Sequence, residues 1–279
     1  MFLHCGNFKL ELSRPQIMGI VNVTPDSFSD GGKHLSNEAA IAHAMQLVED
    51  GADILDIGGE STRPGAAVVS EAEELARVIP VIEGLRNVKV PISIDTYKPA
   101  VMRAALHAGA SMVNDINALQ EEEALSIVAD SHAAVCLMHR QGDSKNMQLN
   151  PHYADVTTEV IDFLLQRVSA VTKAGISSQR IVLDPGFGFG KTLAHNLKLL
   201  NEFNELCKCK IPVLAGISRK SMLGQITGRG IEQRVASSIA AALIAVQRGA
   251  AIVRVHDVRE TRDVLKIWAA VNNPLDFKA

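Results

Sequence analysis

The chain has few aromatic residues and few cysteines. Aromatic residues make up 4% of its 279 residues, whereas hydrophobic residues make up 47%. The apolar content therefore consists mainly of Ala, Val, Ile and Leu, a mixture typical of parallel strands that helices bury on both faces. The four cysteines, Cys5, Cys136, Cys207 and Cys209, lack the spacing of a zinc site. Cys207 and Cys209 are flanked by lysines and are predicted to be incidental surface thiols, and the expected location is the reducing cytoplasm.

Long apolar runs and a strong net charge are also absent. No stretch reaches the roughly 18 consecutive apolar residues of a membrane-spanning helix. The opening residues MFLHCGNFKLEL are too polar for a signal peptide. The formal net charge of −3 argues against a broad surface for nucleic acid or lipid. We therefore expect no nucleic-acid partner and no membrane partner.

A complete nucleotide-binding P-loop is missing as well. The tripeptide Gly190-Lys191-Thr192 resembles the end of the motif G-x-x-x-x-G-K-[ST], in which main-chain N–H groups surround the phosphates. Pro185 occupies the place of the first glycine, and proline has no N–H to donate. The sequence therefore excludes a P-loop here.

The chain does contain an eightfold alternation of short apolar runs with helical patterns. The predicted strands are Ile17–Val23, Ile54–Ile57, Pro91–Ile94, Ser111–Val113, Ala133–Met138, Ile181–Leu183, Pro212–Ile217 and Ala251–Val255. The predicted helices are Asn37–Asp50, Glu71–Leu85, Pro99–His107, Glu121–Asp130, Asp155–Lys173, Leu193–Cys207, Ile231–Arg248 and Val258–Val271. This alternation predicts an α/β fold, a closed (β/α)8 or TIM barrel that forms a single domain over residues 1–279. A doubly wound open sheet is the alternative.

Two local predictions accompany the barrel. Phe2–His4 and Phe8–Leu12 flank Gly6-Asn7, which predicts a short β-hairpin within residues 1–14. We expect this hairpin to close the base of the barrel. The second helix contains Pro80, which should kink the helix or end it early.

Polar side chains follow the predicted strands at their carboxyl ends. In the stretch RIVLDPGFGFGKT, an apolar run ends in Asp184, and a glycine-rich loop follows. The strand ends carry, in order, Asn22, Asp56, Asp95, Asn114 with Asp115, His139, Asp184, Ser218 with Arg219, and Arg254 with His256. A single aspartate in such a position is often only a helix cap. In a barrel, however, all of these ends converge on one face, where active sites are built. The pattern therefore predicts a small-molecule site there.

Several of these strand ends belong to longer motifs. The segments are NVTPDSFSDGG at 22–32, DIGGESTRPG at 56–65, DT at 95–96, DPGFGF at 184–189, GISRKS at 216–221 and RVHD at 254–257. Together they resemble, in order and over essentially the whole chain, the signatures of the dihydropteroate synthases. The resemblance implies condensation of a dihydropterin-methyl pyrophosphate with 4-aminobenzoate, which gives 7,8-dihydropteroate and pyrophosphate in folate synthesis. It also implies inhibition by sulfonamides and a homodimer formed through the C-terminal helices.

The resemblance further implies three adjoining subsites and one metal. The pterin would contact Asp95, Asn114, Met138, Asp184, Gly216 and Lys220, where carboxylates suit the N–H donors of the ring. The pyrophosphate would contact Asn22, Arg63, Arg254 and His256, and Asn22 would hold Mg²⁺ together with phosphate oxygens and waters. The 4-aminobenzoate would contact Phe28, Thr62, Pro64, Phe189, Lys220 and Ser221. The residues expected to carry catalysis are Asp95, Lys220, Arg63, Arg254 and His256.

The predicted reaction is a dissociative substitution, in which pyrophosphate departs before the arylamine attacks. Charge on the leaving group would be stabilised by Mg²⁺, Arg63, Arg254 and His256, and Asp95 would face the pterin-methyl cation. Three alternatives are a pterin-binding methyltransferase of the same fold, a catalytically silent pterin-binding protein, and an unrelated barrel enzyme of sugar-phosphate metabolism. Arg254 and His256 argue against the first, since methyl transfer needs no pyrophosphate site.

Overall fold

The computed structural model describes residues 1–24, 33–61, 68–142, 147 and 149–273, and only the backbone of residues 33–36. Ten strands are present in this part of the chain: β1 Phe2–Cys5, β2 Phe8–Glu11, β3 Gln16–Asn22, β4 Ile54–Gly58, β5 Ile92–Asp95, β6 Met112–Asp115, β7 Ala134–Met138, β8 Ile181–Asp184, β9 Leu214–Ala215 and β10 Ile252–Val255. The last eight are rich in Ile, Val and Leu and almost wholly buried, as expected of strands that are covered on both faces.

These eight strands form one parallel sheet that closes on itself. Their order around the sheet is β8, β7, β6, β5, β4, β3, β10, β9. A parallel bridge between Leu183 and Val213 joins the two ends of this order. The predicted (β/α)8 barrel is thereby confirmed. The strand predicted over Pro212–Ile217 is shorter than expected, because only Leu214–Ala215 pairs continuously with a neighbour, β10.

Helices surround the barrel. They are α1 Lys33–Glu49, α2 Glu71–Gly84, α3 Pro99–Ala108, α4 Glu122–Ala129, α5 Val156–Lys173, α6 Leu193–Asn201, α7 Phe203–Cys207, α8 Ser221–Thr227, α9 Val235–Gln247 and α10 Val258–Asn272. Among the described helices, none is long and apolar enough to cross a membrane.

The helix predicted over Glu71–Leu85 is confirmed as α2, whereas one other helix prediction was wrong. Pro80 does not end α2 early, because Val78, Val81 and Ile82 are buried against the core and hold the last turns in place. The helix predicted over Leu193–Cys207 is two helices, which Glu202 separates. The Glu202 carboxylate accepts bonds from Thr157 Oγ1 at 2.6 Å and from Lys198 Nζ, which ties this junction to α5.

Three further differences are smaller. The helix predicted from Ile231 begins as a short 3₁₀ turn before α9, and α8 is absent from the predicted helices. Cys207 is half-buried instead of lying on the surface, and its thiol lies 3.3 Å from the carbonyl oxygen of Gly249. These features depend on contacts between distant segments.

The hairpin of β1 and β2 lies at the amino-terminal end of the barrel. Leu3 and Cys5 are fully buried in a cluster with barrel residues from the beginnings of the strands, among them Met18, Ile54 and Met112. The Gly6 N–H donates to the carbonyl oxygen of His132, immediately before β7. The hairpin therefore packs against the barrel interior at the end opposite to the polar strand ends.

Candidate active site

Arg254 lies inside the barrel between two carboxylates. Its Nε donates to Asp56 Oδ2 at 2.6 Å, and its Nη2 donates to Asp95 Oδ2 at 2.6 Å. The same Asp56 oxygen accepts a bond from Asn114 Nδ2 at 3.1 Å. The four side chains come from β10, β4, β5 and β6 and form a connected cluster. One guanidinium balances only one of the two carboxylate charges, so the cluster suits a ligand that brings N–H donors or positive charge.

The loop after β8 forms another wall of the site. The Gly186 N–H donates to Asp184 Oδ1 at 2.7 Å, so the carboxylate fixes the turn that follows it. Gly186 has φ of +67°, and a Cβ there would lie 1.9 Å from the carbonyl oxygen of His139. Only glycine fits this position. The turn leads directly into the aromatic part of the loop.

Lys220 approaches this loop from the segment before α8. Its Nζ donates to the carbonyl oxygen of Phe187 and lies 4.8 Å from the centroid of the Phe189 ring, in a cation–π arrangement. Phe187 itself is fully buried and stacks on Phe203, so it is a core residue. The ring of Phe189 and the stem of Lys220 thus lie side by side.

Burial shifts the protonation of these groups. It raises the pKa of Asp95 to about 7, against the opposing effect of the Arg254 guanidinium, and it raises the pKa of Asp184. Burial lowers the pKa of the Lys220 ammonium to about 8. It would also lower the pKa of Arg254, but Asp56 and Asp95 outweigh it and raise that pKa. Near neutral pH, a bound ligand can therefore change the charge of Asp95 and Lys220 at small free-energy cost.

His256 and Arg219 lie at the ends of the neighbouring strands. His256 Nδ1 lies 3.0 Å from Ser218 Oγ, and the His256 N–H donates to the same oxygen at 3.2 Å. Arg219 has φ of +57°, and its Nη2 donates to Asp257 Oδ1 at 2.5 Å. Arg219 therefore links the segments that follow β9 and β10. His256 lies directly after β10, two residues beyond Arg254.

The remaining described residues of the predicted site border the same face. Asn22 is half-buried at the end of β3, Met138 is buried at the end of β7, and Ser221 begins α8. A Cβ on Gly216 would lie 3.9 Å from Asp184 Oδ2, so the absence of a side chain leaves room beside that carboxylate. A cavity of about 140 Å³ opens between the β8 loop and α8, and Gly188 and Ser221 line it.

Four predicted site residues, Phe28, Thr62, Arg63 and Pro64, lie outside the described residues. The structure does show what holds the preceding part of the β4 loop. Lys98 Nζ lies 2.5 Å from a carboxylate oxygen of Glu60 and 2.5 Å from one of Glu74, on α2. This buried ion triad was not predicted from the sequence.

Two further groups were missed by sequence reasoning. Asp56 was recognised as one of the polar strand ends but received no role, whereas the structure places it between Asn114 and Arg254, fully buried. Lys191 was considered only as part of a failed P-loop, whereas its side chain is buried and its Nζ lies 2.9 Å from His139 Nδ1. A lysine directly after a glycine-rich loop at a strand end is the signal that could have indicated Lys191.

The barrel, with polar side chains at the carboxyl ends of its strands, has the architecture of an enzyme that acts on a small molecule. Its similarity to known proteins identifies the class of enzyme. A family model described as pterin binding enzyme matches residues 18–256. The dihydropteroate synthase of Haemophilus influenzae is 50% identical, over 98% of this chain and 100% of the relative. The Xanthomonas albilineans dihydropteroate synthase solved with 4-aminobenzoic acid has a TM-score of 0.92 and 56% identity, and the alignment covers 97% of this chain and 98% of that one.

A solved structure of the Yersinia pestis dihydropteroate synthase in complex with a sulfonamide drug is also similar. Its TM-score is 0.93 at 50% identity, over 98% of this chain and 100% of that one. The chain belongs to the pterin-binding enzymes and, among them, to the dihydropteroate synthase family.

Proposed function

We propose that this chain condenses a dihydropterin-methyl pyrophosphate with 4-aminobenzoate to give 7,8-dihydropteroate and pyrophosphate, and that the pyrophosphate leaves before the amine attacks. The observation that carries this proposal is the Asp56–Arg254–Asp95 cluster. It places a guanidinium that suits phosphate in contact with carboxylates that suit the pterin edge. The full-length similarity to dihydropteroate synthases supports the same reaction.

The pterin is proposed to bind deep in the barrel. Asp184 and Asp95 accept from its N–H donors, and the amide of Asn114 offers one donor and one acceptor. Lys220 belongs to the same site. The charges of Asp184 and Asp95 both raise its pKa, against the larger effect of burial, which lowers it. Its ammonium supplies a donor for the ring carbonyl or a ring nitrogen. Met138 and Gly216 contribute an apolar surface and open space.

Arg254 and His256 are proposed to bind the departing pyrophosphate, together with Arg63. When the phosphate oxygens arrive, the Arg254 guanidinium exchanges a carboxylate partner for them, because a doubly charged anion is the stronger acceptor. Asp95 is proposed to face the methylene carbon, where the developing positive charge favours its ionised form. The carboxylate stabilises the cation there while Arg254 and His256 stabilise the leaving group.

Asn22 is proposed to hold a Mg²⁺ ion together with the bound pyrophosphate. The described residues contain no group of three His, Cys, Asp or Glu side chains that could hold a metal by themselves. A single amide oxygen, that of Asn22, fits a Mg²⁺ ion that keeps several waters and takes its other ligands from phosphate. Bound there, Mg²⁺ would neutralise charge on the leaving group.

The arylamine is proposed to bind nearer the surface. Phe189 and the stem of Lys220 contact its ring. The Ser221 hydroxyl and main-chain N–H groups at the start of α8 donate to its carboxylate, and Phe28, Thr62 and Pro64 complete the subsite. The cavity beside Gly188 and Ser221 supports this placement. A sulfonamide, which presents an aniline and an acidic group in the same arrangement, is expected to compete at this position.

The reaction is tested by measuring pyrophosphate and dihydropteroate from the two substrates and Mg²⁺. We expect both products from the wild type, and a rate at least about 100-fold lower in Arg254→Ala, because a donor to the leaving group is lost. Arg259→Ala is the matched control, since Arg259 is an exposed arginine on α10 that pairs with Asp50. Pterin binding without products would instead support the catalytically silent alternative.

The dissociative order has its own test. If the C–O bond breaks before the amine binds, an ¹⁸O label in the bridging position of the substrate should scramble within the pyrophosphate when 4-aminobenzoate is left out. If the label stays in the bridging position, with an enzyme preparation that turns over once 4-aminobenzoate is added, concerted displacement is favoured.

A homodimer and a cytoplasmic location are further proposals. α10 exposes Ile267 and Val271, at 68% and 74%, and Ile244 of α9 is also exposed, so the C-terminal helices offer apolar surface to a second copy. All four cysteines are free thiols, which suits a reducing compartment. Light scattering should give a dimer that Ile267→Asp dissociates, whereas the control Leu197→Asp on α6 leaves it intact. A monomeric wild type would contradict the dimer.

A further inference from the structure

Lys191 is a buried lysine whose hydrogen-bond partners are neutral. Its Nζ lies 2.9 Å from His139 Nδ1 and donates to the carbonyl oxygens of Gly186 at 3.0 Å and Phe189 at 3.1 Å. The residue is 3% exposed. Burial lowers the pKa of the Lys191 ammonium to about 7, against the opposing charge of Asp184. Because burying such a group is unfavourable in itself, its hydrogen bonds to the loop indicate a role other than stabilising the fold.

The partners of Lys191 all belong to the Asp184–Gly190 loop or to the end of β7 beneath it. Lys191 donates to the carbonyl oxygens of Gly186 and Phe189, which precede and follow Phe187 in the sequence. The carbonyl oxygen of Phe187 accepts from Lys220. The loop is therefore held by two lysine side chains, Lys191 from within the protein and Lys220 from the ligand side.

Two neutral side chains complete this fixation. Asn196 Oδ1 accepts from the Gly188 N–H at 2.8 Å, while its Nδ2 donates to the carbonyl oxygens of Lys191 and Thr192. Tyr153 donates from its hydroxyl to the Gly190 carbonyl oxygen at 2.9 Å. Lys191 and Asn196 also line the cavity that reaches Ser221. Every contact therefore fixes the segment that carries the Phe189 ring.

We propose that Lys191, with Asn196, is a positioning residue for the arylamine: it fixes the loop so that the Phe189 ring and the Lys220 stem form the wall on which the aromatic amine lies. The inference rests on the proposed function. Among the residues assigned to the pterin, Asp95 and Asn114 are held by the cluster around Arg254 and Asp56, whereas Asp184 and Lys220 contact the loop. The loop fixation should therefore act on one substrate more than on the other.

The test is steady-state kinetics of Lys191→Met with each substrate varied. We expect KM for 4-aminobenzoate to rise by about tenfold or more, since small displacements of a positioning surface are costly. KM for the pterin pyrophosphate should rise by a clearly smaller factor, because Asp95, Asn114 and Arg254 are held outside the loop. Lys198→Met is the matched control: Lys198 is on α6, the helix that begins two residues after Lys191, but its side chain is 40% exposed and pairs with Glu202.

Asn196→Ala is a second variant that loosens the same loop without removing a charge. It should show the same selective rise in KM for 4-aminobenzoate, and it carries the test if Lys191→Met does not fold. Equal changes of both KM values, or a fall in kcat alone, would overturn the positioning role. A wild type that makes no dihydropteroate would instead overturn the proposed function, so the two failures are distinguishable.

Discussion

At the scale of single residues, Asp95 and Lys220 have pKa values that burial moves toward neutrality from opposite sides. The pKa of Asp95 is raised to about 7, and that of Lys220 is lowered to about 8. The proposed chemistry requires a negative Asp95, to face the cation, and a positive Lys220, to contact the pterin. This pair of charges is most populated between the two values.

We therefore predict a bell-shaped pH profile of kcat/KM for the pterin pyrophosphate. The value should fall below about pH 7 as Asp95 gains a proton, and above about pH 8 as Lys220 loses one. Lys220→Arg should retain some activity and lose the alkaline limb, because arginine stays protonated throughout this range. An alkaline limb that persists in this variant would assign that limb to another group.

The same residues show where sequence reasoning reaches its limit. Asp184 and its glycine-rich loop were predicted because a strand end, a carboxylate and a positive-φ glycine are local in the chain. The bond between Asp56 and Arg254 joins residues 198 positions apart, so no spacing in the sequence indicates it. The burial of Lys191 likewise depends on a contact with His139, which directly follows β7 and is 52 positions away in the sequence.

At the scale of single elements, the β8 loop depends on glycine for two separate reasons. Gly186 has a positive φ, which is unfavourable for other residues, and it also lies against the His139 carbonyl. Gly228, at the end of α8, has nearly the same φ, +69°, but nothing lies within 4 Å of a Cβ built there. A substitution at Gly228 therefore tests the strain of a positive φ alone, whereas one at Gly186 tests the same strain together with a steric clash.

We predict that Gly186→Ala lowers the free energy of unfolding by about 3 kcal/mol or more, whereas Gly228→Ala lowers it by about 1 kcal/mol. The difference arises because the new methyl at position 186 must displace the backbone of β7 or of the loop. Urea unfolding followed by circular dichroism measures both values. Equal losses in the two variants would mean that the loop moves away freely and that the contact is unimportant.

Sequence patterns predicted these elements well where the local signal was strong. Seven of the eight barrel strands match their predicted positions closely, since each is an apolar run bounded by turn residues. Pro80 does not end α2 early, because core packing keeps the helix intact through its proline. The break at Glu202 was not predicted, because contacts to Thr157 and Lys198 fix it within a continuous helical pattern. In both cases tertiary contacts outweigh local preference.

At the scale of the whole molecule, the hairpin fills one end of the barrel and the site occupies the other. Leu3 is fully buried among barrel residues, whereas Phe2, the adjacent residue of β1, is 42% exposed. The separation of these two ends predicts that stability and catalysis can be altered independently.

We expect Leu3→Ala to lower the free energy of unfolding by about 2–5 kcal/mol, the cost of a cavity in a packed core. The exposed control Phe2→Ala should change it by less than about 1 kcal/mol. At a temperature where both variants remain folded, kcat and both KM values should equal those of the wild type. A selective loss of activity in Leu3→Ala would show that the hairpin is coupled to the site.

The junction between β8 and β9 has a consequence for motion. The other neighbouring strands of the barrel share longer ladders, but here the closure consists of the Leu183–Val213 bridge and a bond from the Leu183 N–H to the Pro212 carbonyl oxygen. Asp184 directly follows Leu183 on one side of this junction, and Gly216 follows β9 on the other side. The barrel should therefore open locally most readily at this junction, and its amide hydrogens there should exchange fast. A pterin that contacts both sides would link them and slow this exchange.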